Sequence, residues 1–208
     1  MSWSSKYGDA AKKIVTDSGS DTDFIKQCFW DLRTQAESCN TRISRWLLYA
    51  VLAAFIFELL NRKFVTNASF SFVEVTHLTF ASYALPPFVS LAFLNVVSLD
   101  IEKEAYVSMA QALVNAMFPD LSGMTDLFFS HSGFFGALST SQLNINAAQM
   151  VYFIVQTLGF YIGYFAFEIY AYIELFRHSG FASVATYASL AGSICLLIIA
   201  IFYGIKND

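Results

Sequence analysis

Charge is what this chain has least of. Only 13% of its 208 residues are charged, about half the share of an ordinary soluble domain. Three prolines and ten glycines are too few for a collagen-like or low-complexity chain. Three cysteines, an odd and sparse set, exclude a disulfide scaffold. The net charge is -4 and no basic cluster is present, so the electrostatic footprint of nucleic-acid binding is missing. The sequence also lacks H-E-x-x-H, G-x-S-x-G, a P-loop and G-x-G-x-x-G. His77, His131 and His178 stand in different segments, and none offers the facing pair that haem ligation needs. Cys28 and Cys39 are eleven apart and Cys195 is far from both, which is not zinc spacing. The expectation is therefore a protein without catalytic residues, cofactor or metal.

What the chain does have is apolar surface. Hydrophobic residues make up 56% of it, with 22 Phe and 11 Tyr. The first 45 residues are polar and hold 13 of the 28 charged side chains, with no apolar core and cleavage site of a signal peptide. Four apolar runs follow, at 46–60 (extended to about 18 residues by Ile43 and its neighbours), 75–99, 148–176 and 181–204. Runs of this length in lipid require helices, which satisfy every backbone group internally. The fold class read from this pattern is an all-α integral membrane protein with four transmembrane helices.

The basic residues orient it. Lys6, Lys12, Lys13, Lys26, Arg33, Arg42, Arg45, Lys103 and Lys206 fall on one side, against Arg62, Lys63 and Arg177 on the other. Nine against three places both termini in the cytoplasm, or on the matrix or stromal side of an organelle. The organisation is then a cytoplasmic segment (1–42), a hairpin of spans one and two (43–99), a cytoplasmic or interfacial region (100–147) and a second hairpin (148–208).

Within this layout several patterns carry structural meaning. A helix is expected from Asp21 or Thr22, with Phe24, Cys28, Leu32, Ala36, Cys39 and Ile43 forming an amphipathic stripe that runs on toward span one. Glu104, Ser108, Gln111 and Asn115 form a narrow polar stripe on an apolar helix of 105–118, ended by Pro119. The N-terminal stripe is read either as a membrane-surface or stalk helix packing on its own protein or, at Phe24, Cys28 and Leu32 together with that polar stripe, as a docking face for a cytoplasmic protein. Phe128, Phe129, Phe134 and Phe135, interleaved with Ser and Gly, are read as part of a re-entrant or an interface-seated loop over 120–147. Pro86-Pro87 in span two is read as a bend and hinge.

Tyr152, Gln156, Gly159, Gly163, Ala166 and Tyr170 line one seam of span three, and Ala185, Ser189 and Ser193 line one of span four. Small residues in such seams let backbones approach, either between the two spans or across a subunit boundary. Glu58, Glu74, Glu168 and Glu174 with Arg62, Lys63 and Arg177 are read as an outer rim. That rim is either a salt-bridge belt or an acidic mouth that concentrates cations. Asn67-Ala68-Ser69 fits the glycosylation pattern but lies too near the membrane for modification to be expected.

The functional expectation is a non-catalytic, self-associating four-span protein that docks a cytoplasmic partner, as a channel-like effector or membrane sensor. An accessory subunit of a large membrane complex is the alternative, and a small transporter or membrane enzyme is a third.

Overall fold

The computed structural model describes residues 13, 16, 22–62, 67–70, 73–76, 78–117, 147–179 and 183–207. They form helices α1 (Thr22–Asn61), α2 (Leu85–Met117), α3 (Ala147–Ser179) and α4 (Val184–Asn207). A short hairpin, β1 (Asn67–Phe70) with β2 (Val73–Thr76), and a 3-10 turn at Leu78–Tyr83 lie between α1 and α2. The strands pair antiparallel, Asn67 opposite Thr76 and Phe70 opposite Val73. Val73, Val75 and Thr76 are β-branched and favour this extended form.

α1 runs 40 residues without a glycine or proline, so nothing in its sequence interrupts the helix. The second apolar run does not form one bent helix. Val75 belongs to β2, and the helix starts only at Leu85. Pro86 and Pro87 therefore stand in its first turn, where a missing amide donor leaves no bond unmade. The first hydrogen bonds here are Ala84 N–H to Ala81 and Phe88 N–H to the Ala84 carbonyl, at 3.0 and 3.2 Å. α4 starts behind Ser183, whose Oγ accepts the Thr186 N–H at 3.3 Å as a cap. Arg177 and His178 close α3, where cations suit the carbonyl end of a helix.

Among the described residues three helices, α1, α2 and α4, are long and apolar enough to cross a membrane. In α2 the charge-free stretch ends at Leu99, and Asp100, Glu102, Lys103 and Glu104 follow at once.

The chain divides into two compact units, Ser44–Val97 with Leu158–Tyr203, and Met1–Ile43 with Ser98–Thr157 and Gly204–Asp208. The first has two apolar clusters. One gathers Ala53, Val89, Phe93, Tyr164 and Ala200, and the other Phe57, Ala171, Tyr172 and Leu175. Aromatic rings set much of the packing. Phe93 stacks on Tyr164 with centroids 4.2 Å apart and on Phe160 at 5.5 Å, while Phe57 meets Phe167 edge-on at 5.8 Å. Gly192 of α4 lies against the Pro87 ring, since a Cβ added to the glycine meets that ring at 3.8 Å. The outward surfaces of α1, α3 and α4 are apolar, as Leu48, Phe55, Leu158, Ile162, Ile198 and Phe202 show. In the second unit Ile25 and Leu113 are buried together, with Cys28, Leu32, Ala112 and Met117 packed on them.

The Gly192 contact sets a size limit. Gly192→Ala is expected to be tolerated, whereas Gly192→Leu should cost about 1–3 kcal/mol by overpacking against Pro87. Thermal unfolding of the detergent-solubilised chain measures the difference.

Candidate functional site

Buried polar side chains concentrate on the inner face of the first unit. Tyr164, Glu168 and Tyr172 recur every four residues on α3 and so share one face. Ser90 of α2 and Ser189 and Ser193 of α4 point at that face, and all six side chains are buried. Ser90 Oγ donates to Glu168 Oε1 at 2.9 Å and sits 3.0 Å from the Tyr164 hydroxyl. Since Ser90 gives its proton to the carboxylate, Tyr164 donates to Ser90. On the other side the Tyr172 hydroxyl pairs with Ser193 Oγ at 2.7 Å and Ser189 Oγ at 3.3 Å. Ser193 also faces the Glu168 carboxyl. Glu168 is only 8% exposed and its Oε2 accepts no hydrogen bond from the protein.

Glu168 thus stands apart from Glu58, Arg62, Glu174 and Arg177 of the expected outer rim, which form local pairs. Glu58 takes hydrogen bonds from Arg62 and from the Tyr170 hydroxyl, and Asn61 Nδ2 reaches Tyr170 at 3.4 Å. Glu174 lies 3.5 Å from Arg177 and 3.9 Å from His178 Nδ1. Glu74 is in β2, opposite Ser69, and its side chain lies outside the described residues, as does Lys63.

The two expected seams separate. Gly159, Gly163, Ala166 and Tyr170 face outward, and a Cβ on either glycine meets nothing within 4 Å. The side chains of Tyr152 and Gln156 lie outside the described residues. On α4 the small face turns inward, with Ser189 and Ser193 bonded to Tyr172 and Ala185 half-buried. α3 and α4 meet through the Tyr172 hydroxyl and not through Gly159 or Gly163. The expected hinge, Pro86 and Pro87, sits at the α2 start; Pro86 is buried and Pro87 half-buried.

In the second unit the stripe expected to dock a partner is largely covered by the chain itself. Cys28 and Leu32 pack on Ile25 and Leu113, while Ala36, Cys39 and Ile43 are buried. Phe24 stays exposed. Of the polar stripe, Glu104, Ser108 and Gln111 are half-buried and Asn115 is exposed. Residues 120–146, with Phe128, Phe129, Phe134, Phe135 and His131, lie outside the described residues, as do Pro119 and His77.

Next to that stripe, Lys103 is 5% exposed, and neither its Nζ nor Asp100 Oδ1 has a hydrogen-bond partner. Burial pushes Asp100 up to about 7, helped by the nearby charge of Glu104. Burial likewise pushes Lys103 down. Among the described residues no three His, Cys, Asp or Glu side chains gather to hold a metal.

Ser90, Tyr164 and Tyr172 escaped the sequence reading. The four-residue spacing of Tyr164, Glu168 and Tyr172 was the available signal. It was masked by the parallel repeat at Gly159, Gly163, Ala166 and Tyr170, which has the same period on a different face.

Two measurements check these contacts. Ser90→Ala and Tyr172→Phe should each destabilise the detergent-solubilised chain by about 1 kcal/mol, and Tyr172→Phe combined with Ser193→Ala should cost less than the sum. For Asp100, the folded chain keeps a proton to about pH 7 that an unfolded aspartate releases near ~4. The folded state then binds the extra proton between these values, so the Asp100 contribution makes stability fall as pH rises from ~4 to ~7. Asp100→Asn should flatten the unfolding midpoint across that window.

No protein-family model, no curated protein and no solved structure matches this chain.

Proposed function

We propose that this is a non-catalytic, multi-pass membrane protein of four spans that works as a channel-like effector or membrane sensor, with Glu168 as its responsive group. The observation that carries this reading is the burial of Glu168, with an unbonded oxygen, among hydroxyls contributed by three apolar helices. An ionisable side chain facing the interior of a membrane bundle is costly, and such groups mark ion or proton pathways and sensing elements. α3 is the fourth span in this reading, supported by its outward row of Leu158, Ile162, Phe165, Ile169 and Ile173. The basic residues favour both termini in the cytoplasm or its organellar equivalent.

Self-association belongs to the same proposal. The α3 surface at Gly159 and Gly163 is open in the single chain, and two such surfaces can meet closely. A cytoplasmic partner would engage what internal packing leaves exposed near the N-terminus, Phe24 and Trp30. The accessory-subunit reading draws on the same open α3 surface, covered then by other chains.

Three outcomes test the proposal. The protein should stay with vesicles after carbonate washing and give a defined homo-oligomer by light scattering in detergent. Gly163→Leu should reduce the oligomer to monomer while the helix content persists. Vesicles reconstituted with the protein should show ion flux that falls at least severalfold in Glu168→Gln. Absence of flux in the native protein sinks the channel form, and a lone aggregating monomer favours the accessory subunit.

A further inference from the structure

We propose that the Glu168 cluster binds one sodium-sized monovalent cation, held by the Glu168 carboxylate with the hydroxyl oxygens of Ser90 and Ser193. The inference rests on the multi-pass reading above, because the site's chemistry depends on its apolar surroundings. Glu168 is more than nine-tenths buried, and Oε2 faces inward without a hydrogen bond from the protein. It takes part in none of the ion pairs among the described residues. A buried carboxylate that has only two serine hydroxyls beside it and no ion-pair partner remains poorly compensated.

The oxygens around it suit a hard cation. Carboxylate and hydroxyl groups are the ligands such ions take, and the set contains no nitrogen or sulfur. One negative charge matches one positive charge, and a divalent ion would leave net charge in an apolar bundle. The two serines can turn lone pairs toward the ion by exchanging their hydrogen bonds to Glu168 for the ion's contact with the carboxylate, while keeping their tyrosine partners. In the Ser90–Tyr164 and Ser193–Tyr172 pairs either oxygen can be the donor, so each serine can hand its proton to the tyrosine and offer its oxygen to the ion. A carboxylate is a ligand of concentrated charge that a smaller ion approaches more closely, which favours sodium over potassium.

Thermal unfolding of the full-length protein in detergent decides the matter, in sodium, potassium or choline chloride at equal ionic strength and fixed pH. Sodium should raise the midpoint saturably by several degrees over choline, and potassium should raise it less. Glu168→Gln and Ser193→Ala should lose the sodium-dependent rise; if Glu168→Gln does not fold, Ser193→Ala and Ser90→Ala carry the test. Equal midpoints in all three salts, an equal response to potassium, or a sodium rise retained in these variants overturns the proposal. So does a midpoint that follows pH and ignores sodium, which assigns the site a proton. Binding is read without transport, so absent flux with intact sodium stabilisation rejects the channel form and leaves the cation site standing.

Discussion

Placing one carboxyl group among apolar helices sets the terms for its neighbours. Glu168 cannot turn to solvent for its hydrogen bonds, so the adjoining helices must bring donors to it. Ser90 does this from α2, and Tyr164 then supports Ser90 from the same face of α3. Tyr172 makes a second hydroxyl cluster with Ser189 and Ser193 of α4. Three helices are thereby tied by side-chain oxygens, which give the unit a specific register that interchangeable Leu and Ile contacts do not. The aromatic stack of Phe93 on Tyr164 holds one of those hydroxyls in place.

The other unit solves a related problem differently. Lys103, which is buried, and Asp100, which is half-buried, lie one turn apart on α2, and neither Lys103 Nζ nor Asp100 Oδ1 has a hydrogen-bond partner. Burial there weakens each charge, pushing the acid up and the base down. Stability in that unit depends on apolar contacts such as Ile25 with Leu113, and its ion pairs, Lys26 with Asp23 and Arg33 with Glu37, are exposed pairs within one helix.

Much of the helical layout was legible because apolar runs and capping residues are local signals. The start of α1, its unbroken course and the helices flanking residues 180–183 follow from composition and periodicity alone. The second run misled for a physical reason. The run starts at Val75 because no Asp, Glu, Lys or Arg stands between there and Leu99, yet β-propensity at Val75 and Thr76 and the Pro86-Pro87 pair hold helix formation back to Leu85. The candidate site was half legible. Glu168, Ser189 and Ser193 were singled out, but for other roles. Which face of α3 turns inward depends on tertiary contacts, and two polar or small repeats with the same period compete for that assignment. Tyr164 and Tyr172 lie about one helical position from the seam that attracted notice, and hydropathy does not separate them from lipid-facing tyrosines.

Gly192 and Pro87 show how a helix breaker and a helix spoiler come to fit one another. The dent left by a missing side chain on α4 receives the pyrrolidine ring on α2. Pro87 already suits the first turn of its own helix, and Gly192 adds the room that its ring occupies. One methyl group fills the gap and anything longer reaches the ring, so the spacing of the two helices here is matched to the smallest side chains.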